Sequence, residues 1–306
     1  MTNNKIYNSI VEKDPIHKGW SEDKKYRVTT EGGTKYLLRI THIFRYETRK
    51  FLFAMLEKVA ELEIPMCAPV EFGTCDDGVY SIQSWIDGEN LSDILPSLSE
   101  AEQYALGFKS GEIVRKIHTI STPEKEIDFL PYKKNWAERF NCKADRNIKL
   151  YRECEHKIDG GDYFIRYIEK NRNLLENRPQ CFQHGDYHTG NMMVDDGGLQ
   201  IIDFDRYDFG DPWEEFNRIV WSAQLSPSFA AGQLKGYFDG EPPLEFFKLL
   251  AFYISSNALA SIRWAVTFGQ DELDTMTKQT QDILEWYDNI MQNPIPTWYL
   301  KDFHVQ

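Results

Sequence analysis

The chain has 306 residues, of which 42% are hydrophobic, and its formal net charge is −13. This length allows a substantial buried core and either one large domain or two medium ones. The negative charge argues against nucleic acid or an anionic membrane surface as a partner, because both attract basic protein surfaces. It is compatible with a cationic small substrate.

The cysteines and the hydrophobic runs indicate a cytoplasmic protein. Five cysteines are scattered without a Cys-x-x-Cys pair, which favours reduced thiols over a disulfide framework or a zinc site. The N-terminus has no apolar signal core, and residues 246–266 are interrupted by Lys248, Asn257 and Arg263. We therefore predict a cytoplasmic location and no membrane contact.

Residues 1 to about 90 are predicted to form short strands joined by turns, together with one helix. Residues 18–25 separate two β-like runs and suggest a hairpin, and a Glu-Gly-Gly turn at 31–33 precedes a strand at 35–40. Between about 46 and 61, apolar residues recur at helical spacing and predict an amphipathic helix. Residues 79–89 are predicted to form the last strand of this region and the linker that follows it.

The remainder of the chain is mostly helical in pattern. Ser99 and Glu102 form a capping-box signature that opens a helix running to about His118. Polar, helical segments follow, including one at about 163–175, and the chain is again helical from about residue 215 to its end.

The most informative stretch is residues 183–205, a polar loop followed by two short apolar strands. Asp186 precedes Asn191 by five residues, and Asp203 follows after twelve more. Phosphoryl transfer from a nucleotide needs a carboxylate to orient the attacking hydroxyl, and an amide and a second carboxylate to hold Mg²⁺. The spacing matches the catalytic-loop pattern of protein kinases.

Gly185 stands where protein kinases carry arginine. This His-Gly-Asp loop, the Ile-Asp-Phe-Asp at 202–205 and the Gly-Asp-Pro-Trp-Glu-Glu-Phe at 210–216 resemble the aminoglycoside phosphotransferase and choline kinase-like family. The resemblance implies an α+β, two-lobe protein-kinase-like fold, with a small antiparallel β-sheet lobe containing one helix and a larger, mainly helical lobe. We place the nucleotide-binding lobe at 1–87 and the catalytic lobe at 88–306, with a helical insertion at about 121–178.

The resemblance also implies roles for residues of the nucleotide site. Asn191 and Asp203 would hold Mg²⁺, and Arg39 would contact the phosphates of ATP or GTP, with Lys35 as the reserve cation. The backbone of the first hairpin, at Gly19 and Ser21, would close over the phosphates. Backbone groups at Ser84 and Ile86 would contact the nucleobase. Whether Glu47 pairs with Arg39, as a helix acid does in this family, is left open.

On the acceptor side, the resemblance makes Asp186 the catalytic carboxylate. Asp205, Glu214 and Glu215 are candidate substrate contacts. Asp205 could contact a metal-bound water or the substrate, and Glu214 or Glu215 could present negative charge to an amine. His184 and Asp211 are expected to support the loop through hydrogen bonds. The orientation of His188 is not predicted.

The implied function is transfer of the γ-phosphate of ATP or GTP to a hydroxyl of a small, amine-bearing acceptor such as an aminoglycoside, which would be relevant to antibiotic resistance. One alternative is another acceptor, such as a macrolide or a choline-like amino alcohol. A second is a non-catalytic nucleotide-binding module, since the first loop has few glycines. A third is a metallohydrolase in which His184, Asp186 and His188 bind Zn²⁺ or Mn²⁺.

Overall fold

The structure, a computed structural model, describes residues 5–17, 23–124, 135–290 and 293–300. The chain divides into two compact units. The first comprises Met1–Leu91 and Asn191–Tyr207, and the second comprises Ser92–Gly190 and Asp208–Gln306. The domain boundary between residues 87 and 88 stays a prediction.

Short strands and longer helices make up the described residues. The strands are β1 (Ile10–Ile16), β2 (Lys24–Thr30), β3 (Lys35–Thr41), β4 (Pro69–Cys75), β5 (Gly78–Ser84), β6 (Glu89–Asn90), β7 (Cys181–Gln183), β8 (Met192–Asp195), β9 (Gly198–Ile201) and β10 (Asp208–Gly210). The helices are α1 (Tyr46–Ala60), α2 (Leu91–Ile94), α3 (Glu100–Ile117), α4 (Trp136–Glu153), α5 (Gly161–Lys170), α6 (Ile219–Leu225), α7 (Pro227–Phe238), α8 (Leu244–Ala265) and α9 (Gln270–Trp286).

A five-stranded antiparallel sheet of order β1-β2-β3-β5-β4 forms most of the first unit. One cluster of its buried core consists of Val28, Leu38, Ile40, Tyr80 and Ile82. Because side chains alternate along a strand, Arg39 points to the face opposite Leu38 and Ile40. Arg39 lines a cavity there together with Leu52 and Leu56 of α1. The strand-three cation therefore faces the helix.

A three-stranded sheet of order β6-β8-β9 belongs to the same unit. Cys67 N–H donates to the Ile201 carbonyl at 3.1 Å, and Ile201 N–H donates to the Pro65 carbonyl at 3.0 Å. These bonds attach the β8–β9 hairpin to the segment that follows α1. Residues 191–207 thereby join the N-terminal unit although they are distant from it in sequence.

In the second unit, α3 and α7 pack with their backbones in close contact. Gly107 and Gly111 of α3 lie against the backbone of α7, and Gly232 and Gly236 of α7 lie against the backbone of α3. A Cβ atom at Gly236 would lie 2.0 Å from the Phe108 carbonyl oxygen, and one at Gly111 would lie 2.1 Å from the carbonyl oxygen of Gln233. Such contacts are sterically forbidden, so this interface requires glycine.

The antiparallel sheet with one helix and the larger, mainly helical part confirm the predicted α+β fold class. The predicted helix at 46–61 corresponds to α1, and α3 begins at Ser99 with the predicted capping box. The helix predicted at 163–175 is shorter. It ends at Lys170 because Asn171 leaves the helical region (φ −119°), and Arg172–Leu175 forms a 3-10 helix. Among the described helices, none has the length and apolar character that crossing a bilayer requires.

Candidate active site

The two predicted metal ligands lie at the open end of the β8–β9 hairpin. Asn191 immediately precedes β8, and Asp203 follows β9. Met192 pairs with Ile201, and the Ile202 N–H donates to the Asn191 carbonyl at 3.1 Å. The strand pairing thus brings the segments that carry the amide and the carboxylate side by side. Both side chains offer the hard oxygen atoms that Mg²⁺ prefers.

Asp203 has left-handed backbone angles, with φ 65° and ψ 64°. A non-glycine residue in this region is unusual, and the conformation costs about 1–2 kcal/mol. Backbone strain of this kind clusters at functional sites, where the surrounding structure holds it in place. The strain is consistent with the ligand role predicted for Asp203.

Arg39 is a buried cation that contacts this carboxylate. Its side chain is 7% exposed, and its Nη1 donates to Asp203 Oδ1 at 3.1 Å. Its Nη2 pairs with Asp205. Lys35, the reserve candidate, is exposed and pairs with Asp87 at 2.8 Å. The geometry therefore favours Arg39 over Lys35 as the phosphate-binding cation.

A second arginine, Arg49 on α1, also reaches Asp205. Its Nη1 donates to Asp205 Oδ1 at 2.8 Å, and its Nη2 donates to both oxygens of Asp23, at 2.8 and 2.7 Å. The ion pairs described for Arg39 are with Asp23, Asp203 and Asp205. Pairing of Glu47 with Arg39, which the sequence left open, is not among them. Sequence reasoning missed Arg49 because it searched α1 for an acid, although Arg49 lies only two residues beyond Glu47.

The nucleobase and phosphate-loop predictions are only partly covered by the structure. Gly19 and Ser21 lie outside the described residues. The Ser84 N–H donates to the Ala68 carbonyl at 2.8 Å, so this donor is already engaged, and the Ser84 carbonyl accepts from the Cys67 thiol. Burial raises the pKa of Cys67 to about 12, which keeps the thiol protonated as a donor. Because both backbone groups of Ser84 already bond within the protein, Ile86 is the better candidate of the two for contact with the nucleobase.

In the second unit, the loop that carries Asp186 is fixed by buried neighbours. Gly185 has φ +83°, which favours glycine at the position where protein kinases have arginine. Tyr187 is 3% exposed, and its hydroxyl donates to the Ser110 carbonyl of α3 at 2.8 Å. The His184 ring meets the Tyr187 ring edge-on, and its Nδ1 accepts from the Asp186 N–H at 3.3 Å. These contacts are consistent with the predicted supporting role of His184.

Glu215 holds the same loop from the other side. Its carboxylate accepts from the backbone N–H of His184 at 2.6 Å and of Gly185 at 2.9 Å. Glu215 is only 2% exposed. Its contacts therefore favour loop support over the substrate contact that the sequence suggested, and no motif spacing indicated this partner.

The Asp186 carboxylate is half-buried and lies next to two cationic or potentially cationic groups. Arg218 Nε lies 3.2 Å from Asp186 Oδ1, and His188 Nε2 lies 3.8 Å from the same oxygen. His188 Nδ1 accepts from the Gly190 N–H at 3.1 Å. The structure thus orients the His188 ring toward the predicted catalytic carboxylate, a direction that the sequence left open.

Asp211 is a fully buried hydrogen-bonding centre. Its oxygens accept from Arg178 Nε at 2.7 Å and Nη2 at 2.8 Å, from the Tyr253 hydroxyl at 2.6 Å and from the Trp213 N–H at 3.0 Å. The Gln183 side chain donates to the Asp211 carbonyl at 2.8 Å. These bonds join the Gly-Asp-Pro segment to β7, the strand that precedes the loop carrying Asp186. They are consistent with the predicted role of Asp211 in stabilising that loop.

Glu214, one of the acids predicted to face a substrate amine, already has a cationic partner on α4. Lys143 Nζ lies 2.9 Å from Glu214 Oε1. Burial acts to raise the pKa of Glu214, but the charges of Lys143 and Arg218 and the Gln183 hydrogen bond outweigh it and hold that pKa below its ordinary value. Glu214 is therefore ionised at neutral pH.

This depressed pKa predicts a pH-dependent effect of Lys143→Met. The ion pair between Glu214 and Lys143 stabilises the folded protein at pH values above the ordinary glutamate pKa of about 4.3. This stabilisation is lost as the pH falls through the lower pKa that Glu214 has in the folded state. We expect Lys143→Met to lower the free energy of unfolding by up to about 1 kcal/mol at pH 7, a small value because Lys143 is partly exposed, and to have a smaller effect at pH 3, below the ordinary glutamate pKa. Urea unfolding at both pH values measures this. Lys149→Met, on the exposed Lys149–Glu153 pair of the same helix, is the control, and an equal loss at both pH values would contradict the assignment.

The residues that the structure describes contain no cluster of three or more His, Cys, Asp or Glu side chains arranged to hold a metal ion. This counts against the metallohydrolase alternative, which needs His184, Asp186 and His188 to converge on one ion. A site built on Asn191 and Asp203 is not affected, since it uses an amide and a single carboxylate.

Comparison with known proteins gives a family match and several structural neighbours. A family profile described as the phosphotransferase enzyme family matches residues 14–247. A search of curated protein sequences found no match.

Three solved structures illustrate the fold similarity. An apo thermostable mutant of aminoglycoside phosphotransferase APH(4)-Ia is 19% identical, with a TM-score of 0.64, covering 92% of this chain and 96% of that one. ADP-bound APH(2'')-Ib is 16% identical, with a TM-score of 0.61 and coverages of 92% and 99%. Amicoumacin kinase hAmiN, in complex with AMP-PNP, Ca²⁺ and Ami, is also 16% identical with a TM-score of 0.61, and the coverages are 92% and 90%. At these identities the similarity concerns the fold.

Proposed function

The chain belongs to the phosphotransferase enzyme family, and we propose that it transfers the γ-phosphate of ATP or GTP to a hydroxyl group of a small acceptor. The family match confirms both the resemblance stated from the sequence and the predicted enzyme class. One observation carries the proposal furthest: the hairpin places Asn191 and the strained Asp203 side by side, and the buried Arg39 contacts Asp203.

The residues present fit a magnesium ion. Asn191 and Asp203 would hold Mg²⁺ through an amide oxygen and a carboxylate oxygen, both of the hard type that this ion selects. When bound, the ion supplies positive charge that neutralises the β- and γ-phosphate oxygens. Arg39 would add a guanidinium, whose planar donors match phosphate oxygens in pairs.

Asp186 would orient the acceptor hydroxyl and accept its proton. His184 and Glu215 bond to the loop backbone, and the Tyr187 hydroxyl of the loop bonds to Ser110 of α3, so the carboxylate needs little rearrangement before reaction. Phosphoryl transfer asks the protein for positioning and electrostatic stabilisation more than for covalent chemistry. A rigid loop and buried charges suit that task.

We further propose that the acceptor carries an amine, as an aminoglycoside does. The net charge of −13 supports a cationic substrate, and APH(4)-Ia, one of the structural neighbours, has been solved with hygromycin B. An acceptor ammonium at Glu214 would replace the Lys143 ammonium, an exchange of like charges. Macrolides and choline-like amino alcohols remain alternative acceptors, because fold does not fix the substrate.

A screen of aminoglycosides, macrolides and amino alcohols tests this function. Purified protein with Mg²⁺ and either ATP or GTP is expected to consume nucleotide faster when the right hydroxyl compound is added, as a coupled assay would record. The phosphorylated product should be heavier by one phosphate group in mass spectrometry. Nucleotide binding without turnover across the whole panel would favour the non-catalytic module. The predicted cytoplasmic location and any role in antibiotic resistance depend on tests in cells.

A further inference from the structure

Four charged residues of the first unit form a closed ring, which we call the charge ring: Asp23, Arg39, Arg49 and Asp205. Arg49 pairs with both oxygens of Asp23 and with Asp205 Oδ1. Arg39 pairs with Asp205, and its Nε lies 3.5 Å from Asp23 Oδ2. The side chains are 2% exposed at Asp23, 7% at Arg39, 17% at Asp205 and 18% at Arg49. Each arginine therefore contacts both carboxylates in a largely buried setting.

The two arginines are not equivalent. Arg39 also reaches Asp203, the carboxylate proposed to bind the metal, whereas the ion pairs described for Arg49 are with Asp23 and Asp205. If Arg39 directs its charge to nucleotide phosphates, the carboxylates of Asp23 and Asp205 lose part of their compensation. Unpaired buried charge is strongly unfavourable, so a second cation must stay with them.

The arrangement also reverses the charges expected on the helix. In protein kinases an acid on the helix pairs with the strand-three cation, and that pair must form for activity. Here α1 supplies the cation Arg49. On the Nε side of Arg39 lies Asp23, at 3.5 Å, and Asp23 directly precedes β2 at the base of the hairpin predicted to cover the phosphates.

We infer that Arg49 and Asp23 are positioning residues for nucleotide binding. Arg49 keeps Asp23 and Asp205 neutralised and fixed, and Asp23 in turn holds the Arg39 guanidinium from its Nε side. Arg39 can then share its charge between Asp203 and a nucleotide without leaving a buried carboxylate unpaired. The inference rests on the proposed function, because it concerns binding of the nucleotide donor.

Calorimetric titration of the whole protein with AMP-PNP, in the presence and absence of Mg²⁺, tests the role without any acceptor. We expect Arg49→Met to bind Mg²⁺-AMP-PNP about tenfold to a hundredfold more weakly than the wild type. Arg49→Lys should recover part of the loss, because it keeps the charge but has a single nitrogen, whereas Arg49 uses Nη2 for Asp23 and Nη1 for Asp205. Asp23→Asn should also weaken binding. Arg27→Met, which breaks the exposed Arg27–Asp14 pair on the same sheet, should bind as the wild type does.

The outcomes separate the inference from the proposed function. A wild-type protein that binds no nucleotide overturns both. If the wild type binds AMP-PNP and folded Arg49→Met binds it with the same affinity, the inference alone is overturned. This holds even if the melting temperature of Arg49→Met is lowered, because a loss of stability at unchanged affinity shows a merely structural role. If Arg49→Met does not fold, Arg49→Lys decides: weakened nucleotide affinity at an unchanged melting temperature supports the inference, and unchanged affinity overturns it.

Discussion

Replacing Asp186 by alanine is expected to abolish the acceptor-dependent part of nucleotide consumption. A positioned general base contributes about 10²- to 10⁴-fold to the rate, and alanine can neither orient the hydroxyl nor accept its proton. The loop should keep its shape, because its backbone is held by Glu215 and its side-chain anchor is Tyr187. The measurement is the coupled assay with the acceptor found in the screen.

Two controls make this result specific to Asp186. Asp162→Asn, on the exposed first turn of α5, removes a carboxylate of the same unit outside the loop and should leave the rate unchanged. The affinity of Asp186→Ala for AMP-PNP should stay near that of the wild type, since the proposed phosphate-binding groups are Asn191, Asp203 and Arg39. Acceptor-dependent turnover that persists in Asp186→Ala would show that another group takes the hydroxyl proton.

The largest expected effect on stability comes from Asp211→Ala. This fully buried carboxylate accepts bonds from Arg178, Tyr253 and the Trp213 backbone. Removing one partner of a buried ion pair leaves the other charge uncompensated, which typically costs about 3–5 kcal/mol. We expect a loss of that size in the free energy of unfolding, measured by urea denaturation.

An exposed ion pair provides the matched comparison. Asp14 pairs with Arg27, and both side chains are about half exposed. Asp14→Ala should therefore cost less than about 1 kcal/mol. The double variant Asp211→Ala with Arg178→Met should lose less stability than the sum of the two single variants, because neither charge is then left unpaired. A cost for Asp211→Ala as small as that for Asp14→Ala would mean that the buried carboxylate stabilises the fold little.

Patterns in the sequence predicted the elements that depend on interactions between residues close together in the chain. Helix α1 follows from apolar spacing, and the start of α3 follows from Ser99 and Glu102, whose side chains and backbone bond to each other three residues apart. Asp186, Asn191 and Asp203 could be proposed as site residues because one short segment of the sequence carries all three at the spacing that phosphoryl transfer needs. The end of α5 at Lys170 was missed, since apolar periodicity continues past the residue at which the backbone leaves the helix.

Partners distant in sequence could not be predicted in the same way. Arg49 meets Asp205, Glu215 meets the backbone of His184, and Lys143 meets Glu214 only after the chain folds. Each of these side chains is an ordinary charged residue in the sequence, and no spacing marks it. Long-range charge pairing depends on which faces pack together.

The sequence by itself determined the reaction class, because the chemistry of phosphoryl transfer needs particular side chains at a short, fixed spacing on one loop and hairpin. The tertiary structure alone decided which charges compensate one another. Buried carboxylates need cationic or hydrogen-bonding partners, and packing determines which ones they meet. Arg49 and Arg39 therefore pair with Asp23 and Asp205, and Glu215 bonds to the loop that carries Asp186.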